Sequence, residues 1–384
     1  MNKIIFEYVI RRVAWYVTLL FFIPSLLIGE SPFEKRLLWV VRDAMSSTES
    51  IDELIEFADE NKFNHLLVQV RGRGDALYES NLVPRSIRLK DADFDPLEYI
   101  ISKAKPLDIN IHAWLNMYYL WSASSMPNQQ NHLLYTNPDW LDNDSQKNVN
   151  VEQVLIDIKN KSYNDEGLFL APTHPEVSRY LIDVVEEVVQ NYNIDGIHLD
   201  YVRFYNENYG LNPVGLSFYK KYRGESNVPF LSTQIIQDPI WGSFRRNSVT
   251  KLVKGISNVI KANRDNCILS AAVKPNLYSA RNDFGQEWDV WLLAGYLDWV
   301  IPMNYLPELD IFSTNINVME DNLPKKHRSK IIMGLATYNQ DPNQVNEKIQ
   351  FTKDSGFNGI CLFSYNVFRD TTGYFDRIKK HLVP

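Results

Sequence analysis

Cysteine is almost absent from this chain of 384 residues, which has only Cys267 and Cys361. Two isolated thiols exclude a disulfide framework and a cysteine-based metal site, and both are expected as small buried apolar groups beside strands. Long basic runs are missing as well. With Lys+Arg 40 against Asp+Glu 47, the formal net charge is -7. Nothing in the chain would track a phosphate backbone, so nucleic acid is excluded as a partner, and an acidic surface fits a neutral substrate. The polar stretch at 141–146 lacks the glycine and the closing glutamate of a calcium loop. Gly72 and Gly74 lack the remainder of a phosphate-binding loop. No metal and no cofactor are expected.

Aromatic residues are plentiful, at 13% of the chain with 9 Trp and 21 Tyr. Together with 45% hydrophobic and 23% charged residues, this is a globular composition that excludes disorder, collagen and coiled coil. The aromatic surplus fits either a Trp-rich core or flat platforms that stack on sugars. At the amino terminus Lys3, Arg11 and Arg12 precede an apolar run at 13–29, interrupted only by Thr18, Pro24 and Ser25. Positive charge ahead of such a run predicts a signal peptide or membrane anchor over 1–30, with the following domain outside the cytoplasm; a buried first helix is the alternative. The run has neither a small-x-small cleavage site nor a lipoprotein cysteine, so removal and retention both stay open.

From residue 37 onward short apolar runs alternate with amphipathic segments of helical period. Strands are predicted at 37–43, 65–71, 110–118, 196–204, 268–274, 297–305, 330–338 and 359–366. Helices are predicted at 47–61, 96–105, 175–192, 243–262, 287–294, 310–322, 344–355 and 372–382. Eight such pairs predict an α/β fold, a single (β/α)8 TIM barrel over 37–384. Its longest loops, 121–173 and 206–241, both follow a strand and so lie on the carboxyl face, where barrels build active sites.

Barrel strands are covered on both faces, so each polar side chain within one requires a partner or a job. Here such residues fall at period two: Gln69 with Arg71, His112 with Trp114 and Asn116, and His198 with Asp200. Arg42 and Asn304 sit near the carboxyl ends of their strands. This parity predicts that Arg42, Arg71, His112, Asn116, Asp200, Arg203 and Tyr305 converge on one pocket. A purely structural ion-pair network is the other explanation.

The strings Gln69-Val-Arg-Gly-Arg-Gly-Asp-Ala-Leu-Tyr78, His112-Ala-Trp-Leu-Asn116 and Asp195-Gly-Ile-His-Leu-Asp-Tyr-Val-Arg-Phe204 resemble the bacterial glycosyl-hydrolase-like family 10. Pro302-Met-Asn-Tyr305, Gly334-Leu-Ala-Thr-Tyr338 and Phe363-Ser-Tyr365 follow the same pattern in order. The resemblance implies an extracytoplasmic TIM barrel assigned to glycoside hydrolysis, with some members acting on peptidoglycan glycan strands. A polysaccharide is then the expected partner, together with a membrane if the amino-terminal segment is kept. A barrel that binds glycans without cleaving them is the alternative.

Glycoside hydrolysis normally needs an acid for the leaving oxygen and a second carboxylate as nucleophile or base. Asp200 is the candidate nucleophile or base, with Arg203 close enough to favour its ionised form. The string at 195–202 is also similar to the fourth-strand motif of family 18 chitinases, D-G-x-D-x-D-x-E, but Val202 stands where those keep the acid Glu and His198 where they keep the middle Asp. The donor must therefore come from elsewhere, and Asp75 and Glu287 are the candidates, ahead of Asp289. Arg42, Arg71, His112, Trp114, Asn116, His198, Arg203, Asn304, Tyr305 and Tyr365 are expected to bind substrate. Among these, Trp114, Tyr305 and Tyr365 are candidate stacking platforms, joined by Tyr118 and Tyr119, with core packing as the alternative for each.

Overall fold

Parallel pairing closes eight strands into a ring. The computed structural model describes residues 33–145, 150–160, 166–224 and 232–382. The first strands are β1 (Lys35–Val40), β2 (His65–Arg71) and β3 (Asn110–Asn116). A short antiparallel pair follows, β4 (Tyr119–Trp121) and β5 (Leu168–Phe169), and then β6 (Gly196–Asp200) and β7 (Ile268–Val273). The last are β8 (Trp299–Pro302), β9 (Met333–Ala336) and β10 (Gly359–Phe363). The sheet runs β8-β7-β6-β3-β2-β1-β10-β9, and bridges from Val300 to Ile331 and from Met303 to Gly334 join its ends. Every strand therefore lies beside its predecessor in the barrel, as the alternation of strands and helices predicts. The expected export or anchor segment at 1–30 lies outside the described residues. Among the described residues, no helix is long and apolar enough to cross a membrane.

Side chains alternate across the barrel wall because the strand period is two. Leu37, Trp39, Leu67, Trp114, Ala272, Trp299, Ile301, Ile332 and Cys361 fill the interior, separate from the larger cluster between strands and helices. Both cysteines are buried and free. Trp39 fits because Gly334 faces it, where an added Cβ would lie 2.9 Å from the indole and 2.7 Å from the Pro302 carbonyl. At the amino ends, Asp195 accepts from the Ile111 amide at 2.8 Å and Asp298 from the Leu269 amide at 2.9 Å. The aspartate that opens the 195–204 string is thus a latch between neighbouring strands.

Helix starts follow capping chemistry. Asp95, His174, Asp238 and Asp341 each cap a helix with proline at its first turn: Pro96–Ala104, Pro175–Asn191, Pro239–Asn263 and Pro342–Asp354. The third of these starts four residues before the predicted 243, since Asp238-Pro239 is the stronger start signal. The helix predicted at 372–382 does not form. The chain instead turns helical at Tyr365–Asp370, inside the end of the predicted last strand, and finishes in 3-10 turns at Phe375–Arg377 and Lys379–His381. Gly373, at φ 75°, breaks the continuity.

Candidate active site

A cavity of ≈ 500 Å3 opens at the carboxyl ends of the strands. Its floor is aromatic. Trp39 meets Tyr305 and Phe363 edge-on at ring separations of 6.0 and 5.9 Å, and Trp114 lies 6.5 Å from Phe363. A buried relay holds that floor. Trp39 Nε1 donates to His198 Nε2 at 3.1 Å, which leaves the proton on Nδ1, facing Ser270 Oγ at 3.0 Å. Burial pushes the His198 imidazole down to about 3, so it is a neutral ring with one donor and one acceptor.

Asp200 is the last residue of β6 and is only 7% exposed. Tyr201 follows in the left-handed region at φ 50°, and its amide donates to Asp200 Oδ1 at 2.7 Å. A non-glycine residue in that region costs of order 1 kcal/mol or more, a strain that persists only where surrounding structure enforces it. Here the Tyr201 ring stacks on Tyr119 at 4.5 Å. The carboxyl is pushed up to about 6, chiefly by burial and also by the Glu166 charge, against the Tyr201 amide, Arg203 and Lys274. Arg203 was expected to favour the ionised form. Its pull is present, but desolvation outweighs it.

Beside Asp200, Asn116 Oδ1 accepts from Trp114 Nε1 at 2.9 Å and Gln69 Nε2 at 3.4 Å, while its amide donates to the Gly72 carbonyl at 3.0 Å. Arg203 pairs with Glu166 at 2.6 Å and donates to the Phe204 and Tyr205 carbonyls. Glu166, 37% exposed at its side chain, is the second carboxylate lining the cavity. Lys274, just past β7, is pushed down to about 8 by burial and by Arg203. Its own amide donates to Gln286 Oε1 at 2.9 Å, and its ammonium lies 4.5 Å over the Phe284 ring.

Of the expected residues, Arg42, Trp114, Asn116, Asp200, Arg203 and Tyr305 line this cavity, as does the candidate platform Tyr119. His198 supports the floor from below, and His112 sits a layer deeper, its Nε2 3.0 Å from His65 Nδ1. The others lie elsewhere. A register shift between Gln69 and Arg71 breaks the parity, and Arg71 donates to the Asn116 and Met117 carbonyls outside the cavity lining. The barrel nevertheless closes, so the expected facing of Arg71 and Asp200 is not a condition of the fold. Asn304 is spent on the Phe312 carbonyl and Asn315. Tyr365 packs on Phe57 at 5.4 Å, outside the barrel, and Tyr118 is core.

Neither donor candidate lines this cavity, and each is engaged by partners of its own. Asp75 accepts from the Arg73 amide at 2.9 Å, Ser86 Oγ at 2.6 Å and Arg42 at 3.5 Å, so it organises its own loop. Glu287 accepts from Thr250 Oγ1 at 2.9 Å and pairs with Arg246 at 3.5 Å, away from the cavity. Asp289 is paired with Arg281. Trp39 and Gln69 were findable by strand parity. Glu166 was not, because it stands in a long loop without periodicity. Among the described residues, no group of three or more His, Cys, Asp or Glu could hold a metal ion.

The family model described as glycosyl hydrolase-like 10 matches residues 30–353. Glycosyl hydrolase YngK of Bacillus subtilis (strain 168) is 24% identical over 261 residues, covering 62% of this chain and 45% of that protein. Glycosyl hydrolase DigH of Escherichia coli (strain K12) is 23% identical over 302 residues, covering 72% and 62% respectively. The chain therefore spans about half the length of these relatives. The glycoside hydrolase domain of PgaB (BpsB) from Bordetella bronchiseptica superposes with a TM-score of 0.69 at 11% identity, over 91% of this chain and 99% of that one. At that identity the likeness concerns the fold.

Proposed function

Because the chain belongs to the glycosyl hydrolase-like 10 family, we propose that it is a glycoside hydrolase cutting O-glycosidic bonds of a bacterial cell-wall glycan, such as peptidoglycan strands, or a related polysaccharide. The observation that carries this reading is the pair of carboxyl groups, Asp200 and Glu166, in one aromatic cavity at the barrel mouth. A binding barrel needs the aromatic floor and has no need of a buried carboxyl held near neutrality.

The sequence reading had Asp200 as nucleophile or base. With its carboxyl pushed up to about 6, Asp200 is better suited to carry a proton and hand it to the leaving oxygen as the C–O bond breaks. Glu166, held by Arg203, is the carboxylate left to take a proton from the attacking water, or to attack the anomeric carbon itself. Tyr119, Tyr305 and the exposed Tyr338 supply faces and edges for stacking on sugar rings, above the buried floor of Trp39 and Trp114. The apolar run at 13–29 supports an extracytoplasmic location, secreted or membrane-anchored. A cytoplasm-only reporter fused after Pro384 should then be silent.

The test incubates the protein with peptidoglycan glycan, with and without stem peptides, and with amino-sugar polymers, and identifies products by mass spectrometry. Asp200→Asn and Glu166→Gln should each lower turnover by about 10²-fold or more. Binding with no turnover by the parent protein would instead establish the non-catalytic glycan-binding barrel.

A further inference from the structure

The segments that follow β1 and β2 lay three arginines along one side of the cleft, Arg42 from the first and Arg73 and Arg88 from the second. Arg42 and Arg73 line both the catalytic cavity and a neighbouring hollow of ≈ 190 Å3, so the two spaces adjoin across these side chains. Arg88 lines the second hollow, whose apolar side includes Trp121, Ile87 and Met126. Arg42 reaches this position across Gly72, where an added Cβ would lie 2.5 Å from its Nη1. Among the described residues, the ion pair within this group is Arg42 with Asp75, at 3.5 Å. Both Asp75 oxygens are already engaged, one by the Arg73 amide and the other by Ser86.

Three guanidinium groups thus face one carboxylate, on a protein whose formal net charge is -7. Burial lowers the Arg42 pKa; Asp75 opposes that shift, while the like charges of Arg73 and Arg88 add to it. An anion in the hollow would offset the like-charge repulsion that falls on the half-buried Arg42 and Arg73 beside the exposed Arg88. Guanidinium groups have donors and no acceptor, and their planar forks match a carboxylate in two-pronged geometry. A neutral sugar hydroxyl leaves the surplus charge unmet. The overall charge favours a neutral substrate, but the local field decides what this cleft holds.

We propose that Arg42, Arg73 and Arg88 form a subsite for a carboxylate carried by a sugar next to the bond that is cut. The subsite rests on the glycoside hydrolase reading above and names the substrate class of that site: an acidic glycan, whose carboxylate belongs to a uronic acid or to a lactyl ether on an amino sugar. Glycan is held by stacking in the catalytic cavity, and the arginines set which unit occupies the adjoining hollow.

Calorimetric titration of the full chain tests this with four probes: hyaluronan oligosaccharides, peptide-stripped cell-wall glycan strands, the tighter-binding of these two with its carboxylates reduced to alcohols, and chitohexaose. The carboxylated form should bind at least about tenfold more tightly than its reduced counterpart, with an affinity that falls as salt rises. The double variant Arg73→Gln/Arg88→Gln should erase that preference while leaving chitohexaose affinity within about twofold. Whichever acidic probe binds more tightly identifies the source of the carboxylate. Equal affinity for carboxylated and reduced glycan, or a preference that survives the double variant, overturns the subsite alone. Failure to bind any of the four overturns the subsite, while failure to hydrolyse any glycan counts against the hydrolase reading and leaves the affinity preference standing.

Discussion

Asp200 carries the largest conflict between stability and chemistry in the cavity. Its folded carboxyl is raised above the ordinary 3.8 to about 6, so the folded state binds the proton more tightly than the unfolded state. The sign follows: the ionised form is penalised by folding, the penalty is complete above about pH 6, and it vanishes below about pH 4. The shift corresponds to about 3 kcal/mol as an order of magnitude. Asp200→Asn keeps an oxygen for the Tyr201 amide and removes the charge. It should therefore melt several degrees higher than the parent at pH 7, and the gain should shrink as the pH falls toward 4, while turnover is lost. Scanning calorimetry at both pH values checks this. For the parent, kcat/KM should fall as pH rises above about 6, because the donor then loses its proton; a flat profile from pH 5 to 8 would contradict the assigned role.

Elements position these residues through contacts their own strands do not make. The segment 286–291 begins as an ordinary acidic helix start, and its glutamate looked like the chemistry. Its neighbour does more for the site. Gln286 accepts from the Lys274 amide and donates to the Val202 and Ala272 carbonyls, while Trp288 Nε1 donates to the Lys274 carbonyl at 3.1 Å. These bonds tie the carboxyl end of β7 to the chain leaving β6, and so hold Lys274 and Asp200 at a fixed spacing. Gln286→Leu leaves buried polar groups unpaired and should cost about 1–3 kcal/mol, with a marked loss of turnover. Glu287→Gln should leave turnover within about twofold, since Glu287 meets Thr250 and Arg246 instead. Urea melts and product assays on the two variants separate the roles.

At the scale of the molecule, the closure of the barrel is uneven. β2 and β3 share six register pairs, whereas β8 and β9 meet through the two bridges from Val300 and Met303. Amides of β2, β3 and β6 should exchange hydrogen most slowly, and those at the β8–β9 seam fastest among the barrel strands. Exchange followed by mass spectrometry checks the order. The seam borders Met303 and Tyr305, so opening there would reach the cavity before the rest of the barrel.

The periodicity of apolar residues determined the eight strands, their order and the face on which the site lies, because a covered barrel strand leaves few other ways to write its residues. It also located Asp200, Asn116, Trp114 and Tyr305, which stand in register on strands or at their ends. Tertiary structure alone decided the remainder. A one-residue register shift moved Arg71 out of the cavity, since strand parity predicts direction only while the register is unbroken. Glu166 reached the cavity from a loop whose path is set by its partners, and Asp75 and Glu287 were drawn to nearby donors. Protonation was also out of reach of the sequence. Arg203 stands three residues from Asp200 in the chain, yet the depth of burial, a property of the whole fold, outweighs that charge.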